Sequence, residues 1–250
     1  MRDDSVDSVT SGGHPAPLGA RRESDPRRFA GGSAPSLARL DLSTRLLLLV
    51  LSAALLVFAA VAADVVEAGR LSELDVDVAT WVVHSMPSWA EWVARPFTWL
   101  GGAVGGTVVV AAAAFWLLRR HARSEAPLLV VDAVGIQLLV FTAKDAFARP
   151  RPDVGSAIRL PSSYSFPSGH AATGIAVFGL LGLLAATVAR TRRQRVAAIC
   201  VGFAIGALIG ASRVVLNVHY VSDVLAGAAL GLAWLAACLL VARHLRRAAS

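Results

Sequence analysis

Lys144-x6-Arg151-Pro152, Pro167-Ser168-Gly169-His170 and Ser212-Arg213-x5-His219-x3-Asp223 are three short segments set far apart in a chain of 250 residues. Together they hold three cations, two imidazoles, a carboxylate and a Ser-Gly pair. An imidazole attacks only through its unprotonated nitrogen. A carboxylate one helical turn away can accept the other ring N–H, fix the tautomer and stabilise the positive charge that develops. His219 and Asp223 have that spacing, which puts both on one face at the start of a helix. His170 follows Ser168 and Gly169 where a loop enters an apolar run; a helix N-terminus there offers unpaired N–H groups to an anion. Lys144, Arg151 and Arg213 add the fixed positive charge that phosphoryl transfer draws on, the arginines with bidentate geometry. Lys144 is the only lysine; the other 23 basic residues are arginine. The chemistry these groups imply is gripping a phosphate and breaking its ester bond.

Each segment also has a plainer reading. His219 with Asp223 could be a surface histidine beside a helix-capping aspartate, and Ser168 an ordinary N-cap. Their co-occurrence with Ser212-Arg213 and Lys144 favours the chemical one. Arg149, Asp153 and Arg159 around the first segment read as solvated loop charges, with Arg149 and Asp145 as lesser candidates for substrate contact. No carboxylate or Cys/His cluster has metal-ligand spacing, so neither a metal nor another cofactor is expected.

The elements that must carry these groups are apolar. Hydrophobic residues make up 56% of the chain, and six stretches are long enough to cross a membrane: 46–63, 97–118, 126–143, 171–189, 196–212 and 224–242. A span needs about 20 apolar residues. Only the third contains a charge, Asp132, for which burial with a polar partner is the expectation. Cys200 and Cys238 fall inside apolar runs and read as small packing residues. The fold class is therefore all-α: a polytopic membrane protein, six transmembrane helices in a bundle with short interfacial helices. Residues 1–42, rich in Ser, Gly, Pro, Asp and Arg without apolar periodicity, read as a disordered cytoplasmic tail, and 43–246 as the six-helix membrane domain.

The connection 64–96 holds Trp81, Trp89 and Trp92, with Trp99 just beyond, and reads as short helices at the bilayer interface. Gly101/Gly105 and Gly102/Gly106 have the spacing that lets helices of one chain pack closely. The net charge of +7 does not mark a nucleic-acid binder, because the arginines sit at the ends of apolar runs with no basic stripe. With both termini inside, the internal segments carry 17 of the 24 basic residues, the arrangement that the positive-inside rule selects. All three phosphate segments then open on the external face.

The three segments resemble those of the type-2 phosphatidic acid phosphatase superfamily of integral membrane lipid phosphatases, which is related to the vanadium haloperoxidases. All eleven specified motif positions are filled in order, and the resemblance covers about residues 46–242. It implies that His219 is the nucleophile that becomes phosphohistidine, that Asp223 is its partner, and that His170 protonates the leaving oxygen. It further implies that Lys144, Arg151, Ser168, Gly169 and Arg213 bind the phosphate. The substrates implied are lipid phosphates or diphosphates of the polyprenyl diphosphate, phosphatidic acid or phosphatidylglycerophosphate type. Membrane lipids are the expected surroundings, an Arg- and Ala-rich chain without obvious organellar targeting suggests a bacterial plasma membrane, and the oligomeric state is left open. Three alternatives share the same pocket: a vanadate haloperoxidase, a lipid-phosphate binding or transport protein without turnover, and a lipid phosphotransferase.

Overall fold

A computed structural model describes residues 41–119 and 125–249. The expected tail lies outside the described residues except for Asp41 and Leu42. Eight helices carry the described chain: α1 (Leu42–Glu67), α2 (Arg70–Ser85), α3 (Ser88–Gly101), α4 (Ala103–Arg119), α5 (Glu125–Phe147), α6 (Gly169–Val188), α7 (Arg192–Val215) and α8 (Val221–Ala248). No strand occurs among the described residues. Five of the helices, α1 and α5 to α8, are long and apolar enough to cross a membrane, and α3 with α4 forms a bent pair with the length and composition of a broken span or a re-entrant loop. Residues such as Leu56, Phe115, Leu138 and Val201 point outward from these helices, as an apolar solvent allows.

Local chemistry sets the helix ends. Beyond α1, Ala68 takes the left-handed conformation, and the Asp64 carboxylate accepts from the backbone N–H groups of Leu71 and Ser72 at 3.2 and 3.1 Å. One aspartate thereby caps the next helix and sets the sharp α1–α2 turn. Thr191 and Gln194 bond each other's backbone N–H at the start of α7, a reciprocal cap.

The second crossing differs from its expected form. Helix α3 continues through Pro96 to Gly101, and the break falls at Gly102, where the two axes turn by 57°. Residues 97–101 thus belong to the preceding helix. The reason is steric: a Cβ on Gly105 would lie 2.0 Å from the Trp99 carbonyl oxygen, so only glycine lets α4 start this tightly against the end of α3. Gly101 packs in the same way against Ile209 of α7, the close intrachain contact its spacing predicts.

The site helix α6 is the centre of the bundle. Of its most apolar window 61% is buried, against 17% for α1. Its midsection, Gly174–Phe178, is π-helical. Small residues let its neighbours approach: a Cβ on Gly206 of α7 would meet the Gly174 carbonyl oxygen at 2.6 Å, and one on Gly231 of α8 the Ala172 carbonyl oxygen at 2.3 Å. Without a hydrophobic drive between helices in lipid, such close backbone packing holds them together. Phe166, fully buried just before α6, packs its ring 4.8 Å from Phe147 of α5 and 6.0 Å from Phe58 of α1. That aromatic cluster pins the loop that carries the second motif.

Asp132 is fully buried in α5, but among the described residues neither carboxylate oxygen has a hydrogen-bond partner, contrary to the polar partner expected; its backbone carbonyl accepts from Trp234 Nε1 at 2.9 Å. Cys238 is buried, whereas Cys200 faces outward.

Candidate active site

The C-terminal ends of α5 and α7 and the N-terminal ends of α6 and α8 meet at one end of the bundle, and the three motifs lie there. His219 sits two residues ahead of α8 and not within it, since Tyr220 is the N-cap. Its position on the helix face is replaced by a capping geometry. Asp223, in the first turn, folds back so that Oδ2 accepts from the Tyr220 N–H at 2.9 Å, from His219 Nδ1 at 3.3 Å and from Ser165 Oγ. The N-cap contact and the histidine contact are thus made by the same oxygen.

The other nitrogen of His219 faces Arg151, whose Nη1 lies 3.1 Å from Nε2. A guanidinium can only donate, so the network assigns a lone pair to Nε2 and the proton to Nδ1, where Asp223 takes it. Burial pulls the His219 pKa down from 6.5 to about 4; the bond to Asp223 opposes this and Arg151 and Arg213 add to it. At neutral pH the imidazole is uncharged, with its free nitrogen turned toward a cation.

Arg151 spends its remaining donors on backbone and loop oxygens: Nε on the Ser163 carbonyl at 2.9 Å, Nη1 on the Val218 carbonyl at 2.6 Å, and Nη2 on Ser163 Oγ and the Tyr164 carbonyl. Burial lowers its pKa, against the pull of Asp223. Lys144 Nζ also donates to the Tyr164 carbonyl, and to that of Ser165 at 3.3 Å. The two cations therefore hold residues 163–165 between them. Beside Arg151 opens a cavity of about 280 Å³, bounded by residues 149–153 and 160–164.

Arg213 is almost wholly buried and donates to Thr98 Oγ1 on α3, while its Nε has no partner among the described residues. Ser212 turns its hydroxyl back onto the Ile209 carbonyl. Ser168 caps α6, its Oγ accepting from the Ala171 N–H at 3.5 Å, and its own N–H donates 2.9 Å to the Asp223 carbonyl. Gly169 opens the helix, and His170 follows against the α3–α4 break: a Cβ on Gly102 would lie 3.6 Å from His170 Nε2. His170 is close enough to Arg213, Arg151 and Lys144 to feel the charge of each. The eight expected site residues thus stand in one cluster.

Arg149 departs from its expected place among solvated charges. Only 12% exposed, it donates from Nη1 to Asp223 Oδ1 at 2.6 Å and from Nη2 to Asp75 Oδ2 at 2.9 Å, with its guanidinium 4.5 Å from the Tyr220 ring centroid. Burial works against its charge, yet the two carboxylates more than offset that and hold its pKa above the ordinary arginine value. Breaking such a buried pair from one side costs about 3–5 kcal/mol. Asp153, Arg159 and Asp145 are exposed. Asp75, Thr98 and Ser165 escape sequence reasoning: none lies in a motif, Asp75 meets Arg149 and Ser222 across 74 and 147 residues, and Thr98 meets Arg213 across 115. Among the described residues no three His, Cys, Asp or Glu side chains are grouped to hold a metal ion.

The fold has known relatives. The model of the PAP2 superfamily matches residues 126–247. Phosphatidylglycerophosphatase B of Bacillus subtilis is 31% identical over 155 residues, 54% of this chain and 71% of that protein. The chain belongs to the PAP2 superfamily. Lipid A 1-phosphatase of Porphyromonas gingivalis is 39% identical over 115 residues, 45% of this chain but only 23% of that protein. The PAP2 fold is also seen in a solved transmembrane PAP2-type phosphatidylglycerolphosphate phosphatase from Bacillus subtilis. It shares 24% identity and a TM-score of 0.67 over 80% of this chain and 97% of the other. LpxE from Aquifex aeolicus has the same fold at a TM-score of 0.52, with 20% identity over 68% of this chain and 95% of the other.

Proposed function

We propose that this multi-pass membrane protein hydrolyses a lipid phosphate or diphosphate through a phosphohistidine at His219. The observation that carries the reading is the poise of that imidazole: Nδ1–H directed at Asp223, Nε2 unprotonated and 3.1 Å from Arg151. Nε2 attacks phosphorus, the bond to the leaving oxygen breaks, and His170 gives that oxygen its proton. Water then attacks the phosphohistidine, with His170 taking a proton back, so that phosphate and the resting imidazole are restored. General acid–base help of this kind contributes about 10²–10⁴-fold. Arg151, Arg213 and Lys144 neutralise the phosphoryl oxygens, with Ser168 and Gly169 at the start of α6 adding donors. To do so, Lys144 and Arg151 exchange the carbonyls of residues 163–165 for phosphate oxygens. Three fixed cations take the part that a divalent metal plays in other phosphoryl transfers, which supports metal-independent turnover.

A lipid substrate follows from the setting, since the site opens at the ends of apolar helices whose outward faces suit acyl or prenyl chains. Phosphatidic acid, phosphatidylglycerophosphate and polyprenyl diphosphates share that chemistry, and the similarity to phosphatidylglycerophosphatase B and lipid A 1-phosphatase supports it. The arginine distribution favours cytoplasmic termini, an external site and a bacterial plasma membrane, with residues 1–42 as a tail and 43–246 as the catalytic domain. Release of inorganic phosphate from a panel of these lipids in detergent, with a chelator present, tests the reading. Phosphate release unaffected by chelator is expected; no release from any member of the panel, or release that returns only with a divalent ion, overturns the corresponding part.

A further inference from the structure

Asp75 lies on α2, outside all three motifs, yet it is 2% exposed and fully engaged. Oδ1 accepts from the Ser222 N–H at 3.0 Å, and Oδ2 from Ser222 Oγ and from Arg149 Nη2 at 2.9 Å. The same guanidinium reaches Asp223 with its other nitrogen at 2.6 Å, and donates to Ser222 Oγ at 2.6 Å. A continuous line of charge-assisted bonds thus runs Asp75, Arg149, Asp223, His219. Such bonds are stronger than neutral ones and fix geometry where donors are forked.

We propose that Asp75 and Arg149 are positioning residues for the nucleophile: together they hold the Asp223 carboxylate against His219 Nδ1 and set how much negative charge it presents there. This inference rests on the phosphatase reading and extends it. Without Arg149, Asp223 Oδ1 loses its donor, and the carboxylate is held only through Oδ2, by the Tyr220 N–H, Ser165 and His219. Without the charge of Asp75, Arg149 is neutralised by Asp223 alone, leaving one more positive charge near the imidazole. Helix α2, which the sequence presents as an interfacial segment, becomes part of the active site.

Charge sets the sign of the effects. The groups around His219 are Asp223 on α8, Arg213 on α7, Lys144 on α5, His170 on α6, Arg149 and Arg151 in the segment after α5, and Asp75 on α2. Removing the negative charge of Asp75 disfavours an imidazolium, so the acidic limb of the pH–kcat/KM profile moves to lower pH. Removing the positive charge of Arg149 moves it to higher pH. For charges separated by one intervening side chain the shift is about half a pH unit. A role in folding alone does not produce opposite signs.

The test uses the full chain in detergent with dioctanoyl phosphatidic acid. Asp75→Asn is expected to lower kcat about tenfold with KM within about threefold, the pattern of a group that acts after binding. On an Asp223→Asn background the same change should have little further effect, because coupled groups are not additive. Arg149→Gln should shift the acidic limb opposite to Asp75→Asn. Should Asp75→Asn fail to fold, Arg149→Lys serves: it keeps the charge but cannot fork to two carboxylates, and kcat is expected to fall with little change in melting temperature. Asp75→Asn or Arg149→Lys with wild-type kcat, limb shifts of the same sign, or a full tenfold loss on the Asp223→Asn background would each overturn the proposal. Wild-type protein that releases no phosphate would instead fell the phosphatase reading, and this inference with it.

Discussion

A single methyl group at Gly227 should cripple turnover. This glycine lies on α8, one turn beyond Asp223, and a Cβ there would stand 2.4 Å from the Ser168 carbonyl oxygen, 3.2 Å from the Ser168 carbonyl carbon and 3.2 Å from Ala171 Cβ. Ordinary contact begins near 3.4 Å, so the start of α6 must retreat by about 1 Å, and the obstacle is backbone that cannot rotate away. Ser168 is also tied to α8 through its N–H on the Asp223 carbonyl, so the retreat strains the bond that registers the two helices. Overpacking of this kind costs about 1–3 kcal/mol of stability, while a misplacement of about 1 Å at the reacting groups costs on the order of 10²-fold in rate. Gly227→Ala should therefore lose more activity than stability. The assay is phosphate release at saturating lipid beside a thermal melt, with Gly106→Ala as the control. At Gly106 the added Cβ meets only the Leu100 carbonyl oxygen, at 3.5 Å, and helix propensity favours alanine by up to about 1 kcal/mol. Wild-type turnover in Gly227→Ala would refute the claim that α6–α8 register sets the site.

Asp132→Asn should raise the melting temperature by a few degrees and leave turnover unchanged, because a neutral group of the same shape replaces a carboxylate with no partner at full burial, a difference of about 1–3 kcal/mol. A lower melting temperature, or lost phosphate release, would contradict it. Acid should weaken the wild type through His219: the folded protein resists protonating it down to about pH 4, while the unfolded chain takes the proton near 6.5. Stability is then lost as pH falls from about 6.5 toward 4, and thermal melts across that window should show a smaller loss for His219→Gln than for the wild type. Parallel curves would count against the buried neutral imidazole.

How much of this was legible in sequence follows from the range of each interaction. His219 and Asp223, four residues apart, and the Ser168-Gly169-His170 run declare themselves because their relation is local. The spans declare themselves because the bilayer demands uninterrupted apolar length. The break at Gly102 was hidden behind Pro96, which looks like the stronger interruption but is carried inside α3; the glycine contact with the Trp99 carbonyl is tertiary and leaves no periodic trace. Arg149 read as a loop charge since both its acidic partners are 74 residues away, one on either side. Asp75 alternates with valine and leucine on an amphipathic helix and carries no mark of the serine, 147 residues on, that binds it. Long-range polar pairs inside a helical membrane protein are set by which helices touch, and one chain's composition does not encode that.

The central claim is that His219 Nε2 attacks phosphorus. Its most direct test is to quench the protein during turnover of a lipid labelled in the phosphoryl group and map the label. A phosphoryl group on residue 219, stable to alkali, labile to acid and absent from His219→Gln, is the predicted result. Label on another residue, or undiminished phosphate release by His219→Gln, would contradict it.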